Sequence, residues 1–172
     1  MDRQVVHDEL ERTRATFHQL LVAATDEDLR RPTRGTRWTN EQLLFHMLFG
    51  YLVVRVLLVL VRVMARLPLG VRRGFARLLD AATRPFDVVN FWGSRGGAKV
   101  FNHKRMGAVF DVVVRSLHRR LDAETEQDLR RGMPFPTRWD PFFAEFMTLE
   151  DVYRFPTRHF DFHAEQLTFP ER

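Results

Sequence analysis

No stretch restricts this chain more than residues 40–67. It carries no proline until Pro68, and its middle, Leu43 to Val63, is almost wholly apolar. Thr39 as N-cap with Gln42 at the third helical position is a capping box, and Pro68 with Gly70 marks the far end. The spacing predicts one long helix. Such a helix either crosses a bilayer or runs through a core, and its arginines decide between the two. A charge at bilayer depth costs several kcal/mol. At 100° per residue, Arg55, Arg62 and Arg66 fall at about 180°, 160° and 200° from His46. They make one solvated stripe, so His46 faces the buried side. Gly50 lies one turn further on that face and leaves room beside it.

The other segments must cover this helix. Residues 2–24 repeat apolar positions at helical spacing, as do residues 98–122. Thr148 and Asp151 open a final helix reaching about Phe169, which Pro156 is expected to kink or divide. Residues 25–38 read as a polar link with Pro32 and Gly35. Residues 71–97 are less regular: Val71–Ala82 reads as a short helix, and Pro85, Gly93, Gly96 and Gly97 mark a long connection. Within it, Asn90-Phe91-Trp92-Gly93 is a candidate pocket wall. Pro134, Pro136 and Pro141 exclude a regular helix through the aromatic run Met133–Phe143, which is expected to pack against one end of the molecule. No strand-like alternation and no repeat appears. The reading is all-α: a single domain over residues 1–172, a four-helix bundle with a long connection between the second and third main helices.

The chain has no cysteine, which excludes disulfides and thiolate metal sites, so any reacting thiol must arrive with a ligand. That composition and the polar N-terminus fit the cytoplasm. The net charge of +5 favours anions, but the 27 basic residues are spread along the chain without a nucleic-acid motif.

The chemistry-bearing residues lie near the C-terminus. His159 and His163, four apart in a helix, sit about 40° apart on one face and can present two imidazoles to one metal ion. Asp161 and Glu165 fall on the opposite side, and Gln166 returns to the histidine face. A zinc protease needs glutamate directly after the first histidine; here Phe160 stands there. Each histidine alone reads equally as an ordinary surface or hydrogen-bonded core residue. Together with the inward His46, the pair offers three neutral nitrogen ligands and an open position, a catalytic zinc-type sphere. His7 and His18 are expected at the surface or boundary, His118 is expected to be exposed among Arg115, Arg119 and Arg120, and His103 is an outside candidate. No catalytic residue is identified.

The segment Gly35-Thr36-Arg37-Trp38-Thr39-Asn40-Glu41-Gln42-Leu43-Leu44-Phe45-His46-Met47, followed far downstream by His159, His163, Gln166 and Leu167, resembles the DinB-like superfamily, which includes thiol-dependent S-transferases. The resemblance covers nearly the whole chain. It implies a four-helix bundle, dimers, and a divalent metal (zinc, nickel or iron) held by His46, His159 and His163. It further implies chemistry with low-molecular-weight thiols such as bacillithiol, mycothiol or glutathione.

The expectation is therefore a metal-dependent enzyme acting on a small-molecule substrate: a thiol S-transferase or a related isomerase or hydrolase. Gln166 is placed at the cofactor, orienting a ligand or a histidine. The alternatives are a non-catalytic metal- or ligand-binding bundle and, behind it, a basic nucleic-acid or membrane-surface module.

Overall fold

The computed structural model describes residues 2–169. In chain order the helices are α1 (Arg3–Ala23), α2 (Asp26–Arg30), α3 (Asn40–Met64), α4 (Leu69–Ala81), α5 (Thr83–Val100), α6 (His103–Ala123), α7 (Glu126–Leu129) and α8 (Leu149–Ala164). Strands β1 (Gly132–Pro134) and β2 (Phe146–Thr148) lie between α7 and α8. The chain is all-α apart from this short ladder.

The helix α3 is the centre of the molecule. It packs on α8, α5 and α6, and α1 closes the far side against α6 and α8. Leu43, Leu44, Met47, Leu48, Tyr51, Val54 and Val61 on α3 are fully buried. They meet Phe17 of α1, Phe110 of α6 and Phe160 of α8, whose rings stack edge and face within 6.4 Å of one another. Among the described residues α3 alone is long and apolar enough to span a membrane, yet 56% of its most apolar window is buried inside the protein. It is a core helix. The predicted solvated stripe is only partly that: Arg66 is exposed, but Arg62 bonds the buried Glu124 carboxylate, which also accepts from Tyr153 Oη at 3.1 Å.

Five expectations need correction. The short helix expected at Val71–Ala82 is α4, but the stretch after it forms a second helix, α5, rather than a long connection. Pro85 lies in the first turn of α5, where its missing N–H costs no intrahelical bond. Gly97 serves close packing, since a Cβ there would stand 2.1 Å from the Phe45 ring. The third main helix consequently begins at His103, because residues 98–100 complete α5. The polar link contains α2, capped by Thr25 and Asp28 in a reciprocal box. Pro156 does not divide the last helix, which is continuous to Ala164 with Pro156 buried inside it. Finally, β1 and β2 pair antiparallel over three residues each, too short to show an alternation in sequence. Gly132 is needed there because a Cβ would lie 2.5 Å from the Met147 carbonyl oxygen.

Candidate metal centre

Three rings meet between α3 and α8. The capping box at Thr39 and Gln42 starts α3, and Asn40 ties that start to its surroundings. Its amide nitrogen donates to Asp28 O at 2.8 Å, and its oxygen accepts from Thr168 N at 3.1 Å. The start of α3 is thus fixed against the segment that follows α8. Six residues on, His46 points inward and is 5% exposed; His159 and His163 of α8 are 4% and 9% exposed. Ring centroids lie 4.9 Å apart for His46 and His159, 4.7 Å for His46 and His163, and 4.5 Å for His159 and His163. One nitrogen from each falls within 4.8 Å of the others. A tetrahedral ion with bonds of about 2.1 Å sets its donors roughly 3.4 Å apart, so ring movements of about an ångström would close the set.

Each ring is oriented by a different device. His46 Nδ1 meets Ser94 Oγ at 3.2 Å, and the ring stacks on Trp38 with centroids 4.5 Å apart. His163 Nδ1 donates to Gln166 Oε1 at 2.7 Å, leaving Nε2 as the free lone pair. The ring of His159 lies on Gly50: a Cβ at that position would stand 2.9 Å from Nδ1. This is the room that the sequence assigns to Gly50. His159 Nδ1 has no hydrogen-bond partner although buried, and Nε2 faces Asp140 Oδ2 at 3.8 Å. A buried unpaired nitrogen is costly unless something completes it.

Burial keeps these rings neutral. His46 is pushed down to about 3 by loss of solvent, with repulsion from a charged His163 adding to it. His159 is held well below the ordinary histidine value by burial and then by its two neighbours. His163 is also lowered by burial, against which its bond to Gln166 works. Neutral imidazoles are the protonation state that a cation requires, and the donor set suits zinc, nickel or iron. The three residues could hold a metal ion.

The site is the floor of a pocket of about 200 Å³, walled by aromatic side chains of α3, α5, α8 and the proline-rich segment. Two residues, one in the pocket wall and one behind His46, carry chemistry that the sequence hides. Asp140 is mostly buried, and burial raises its carboxyl to about 6. Its Oδ1 accepts from Phe142 N at 2.8 Å, which turns Oδ2 toward His159. A lone carboxylate between Trp139 and Pro141 was its only signal. Ser94 falls where the glycines predict a connection; in α5, Asn90 and Ser94 stand four apart on one face. Of the candidate wall Asn90-Phe91-Trp92-Gly93 only Asn90 lines the pocket; Phe91 stacks on Trp38 at 6.2 Å, and Trp92 is exposed.

The remaining histidines lie elsewhere. His103 begins α6 beside Glu41. His118 is half-buried, not exposed: its ring stacks on His7 and its Nε2 meets Glu11 at 2.8 Å, while His7 meets Asp122 and His18 meets Asp111. These contacts clamp α1 to α6. Asp161 points away from the three rings and pairs with Arg12 of α1 at 2.8 Å, and Glu165 is exposed.

A family model described as the DinB superfamily matches residues 9–167. No curated protein and no solved structure matches the chain.

Proposed function

The chain belongs to the DinB superfamily, and from that premise we propose that it is a cytoplasmic, divalent-metal-dependent enzyme that transfers a low-molecular-weight thiol. In this reading His46, His159 and His163 are the metal ligands and the fold is a four-helix bundle of α1, α3, α6 and α8, extended by α4 and α5. The observation that carries it is the convergence of three buried, neutral imidazoles on the floor of an open aromatic pocket. A surface pair of histidines would support adventitious metal only. A buried trio in which Ser94 meets His46 Nδ1 and Gln166 holds His163 Nδ1 is organised for ligation.

A divalent cation bound there supplies a Lewis acid that brings a bound thiol or water near its deprotonated form at neutral pH. The chain's own residues do the rest. Gln166 holds the proton of His163 on Nδ1, and Ser94 holds the orientation of His46. Trp38, Phe142 and Phe155 exclude bulk water from the pocket floor. Asp140 stands within the pocket as a proton acceptor for the incoming thiol.

The same carboxylate favours a second reading, an isomerase or hydrolase in which Asp140 takes its proton from water or from substrate carbon. Purified protein incubated with glutathione, bacillithiol or mycothiol and a model electrophile distinguishes these. Thiol transfer should vanish on chelation and return with one metal of the zinc, nickel and iron set. Asp140→Asn should lower turnover tenfold or more with metal content retained. Transfer that persists after chelation would remove the proposal, and absence of transfer with every thiol would leave the hydrolytic reading or a binding role.

A further inference from the structure

Beside the histidine pocket lies a second cavity, larger and different in kind. It measures about 370 Å³ and runs between α3, the end of α4 and the proline-rich segment. Phe49, Val53, Trp139 and Phe143 line both spaces, so the two adjoin across a common wall. The pocket floor carries imidazoles and a carboxylate, whereas every side chain lining the second cavity is apolar. Its one N–H, Trp139 Nε1, is spent on Leu79 O at 2.8 Å. Water entering there would find no side-chain partner, and a water needs two to four.

The shared wall is built, not incidental. Trp139 is fixed by that bond to α4 and by the Phe86 ring stacked on it with centroids 4.1 Å apart. The next residue, Asp140, turns into the histidine pocket. One two-residue step therefore places an apolar face and a carboxylate on adjoining chambers.

We propose that the apolar cavity is a second arm of the substrate site and takes an alkyl or aryl chain whose reactive head reaches the histidines. At about 30 Å³, the liquid share of one water and close to that of a methylene, the arm has room for on the order of ten carbons. The electrophile for this enzyme is thus an amphiphile with a compact polar head, and small polar electrophiles leave the arm empty. The proposal rests on the metal-site reading for the head but on the cavity alone for the chain.

Two homologous series separate these dependencies. Full-length zinc-loaded protein is titrated with n-alkyl hydroxamic acids from acetyl to dodecanoyl, and metal-free protein with n-alkanols of matching length. Tryptophan fluorescence or calorimetry reads the binding. In both series the affinity should rise about three- to fourfold per methylene and level off near ten carbons. Leu60→Trp, which fills the arm, should end the rise several methylenes earlier. Val56→Trp, at a position 66% exposed and so tolerant of change, should do the same if the first variant folds poorly.

Two flat series would overturn the proposal. So would a rising alkanol series with a flat hydroxamate series, because the cavity would then be cut off from the histidines. Flat series with a dimer that dissociates in Leu60→Trp would assign the cavity to a second copy of the chain, again overturning it. Failure of the metal reading has its own signature: acetohydroxamate affinity unchanged by chelation, whatever the chain-length slope.

Discussion

Gly50 and Gln166 act on the two histidines of α8 from different directions. Gly50 offers a surface without a side chain on which the His159 ring lies; Gln166 fixes the proton of His163. Neither touches the point where the donors converge, yet both set where the donors are. Gly50→Ala should therefore raise helix propensity by up to about 1 kcal/mol while pushing the His159 ring off its seat. Metal affinity, measured by competition with a chelator, should fall tenfold or more with the helical spectrum unchanged. Gln166→Leu should cost about 10- to 100-fold in the same titration, as loss of such outer partners does. Unchanged affinity in both variants would separate these residues from the site. Much of this was legible in residue spacing, because helical periodicity alone puts His46 inward with Gly50 beside it and Gln166 on the histidine face. Asp140 was not legible. Its approach to His159 depends on how an irregular segment folds back, and no periodicity encodes that.

At the scale of elements, α5 shows how glycine misleads. Gly93, Gly96 and Gly97 read as breakers, but helix α5 runs through all three because it is held against α3. Their roles differ. Gly97 meets the buried Phe45 ring, whereas a Cβ on Gly96 would meet nothing within 4 Å. Gly97→Ala should destabilise the fold by about 1–3 kcal/mol through overpacking. Gly96→Ala should stabilise it by roughly 0.5–1 kcal/mol through the usual helix preference. Urea unfolding midpoints check both signs, and stabilisation by Gly97→Ala would show that α5 does not dock as closely as described. The helices with unambiguous caps and unbroken apolar faces, α1, α3 and the start of α8, were legible from sequence. Helix α4 was legible too, as a short helix, whereas α5 owes its form to tertiary contact, which overrides local propensity.

Across the whole molecule, the buried histidines link stability to acidity. In the metal-free protein His46 and His159 stay neutral well below the pH at which the unfolded chain protonates them, near 6.5, and burial shifts His163 in the same direction. Their folded values are depressed, so the fold is unpenalised above about pH 6.5 and loses stability as pH falls from there toward 3. Each ring contributes up to about 1.4 kcal/mol per pH unit. Asp140 works oppositely: its carboxyl is raised from 3.8 to about 6, so between those values it favours the fold as pH falls and offsets about one ring. Urea midpoints of chelated protein should drop steeply between pH 6.5 and 4.5, and saturating metal at pH 7 should raise them, the unfolding free energy gaining about 2.7 kcal/mol at a hundredfold excess over Kd. A flat profile would mean that the rings protonate in place.

The account turns on His46 joining the C-terminal pair at one ion, and elemental analysis of purified protein tests that most directly. The expected result is close to one divalent metal per wild-type chain and less than a tenth of that in His46→Ala, with the helical spectrum of both proteins alike. Wild-type metal content in His46→Ala would contradict the account.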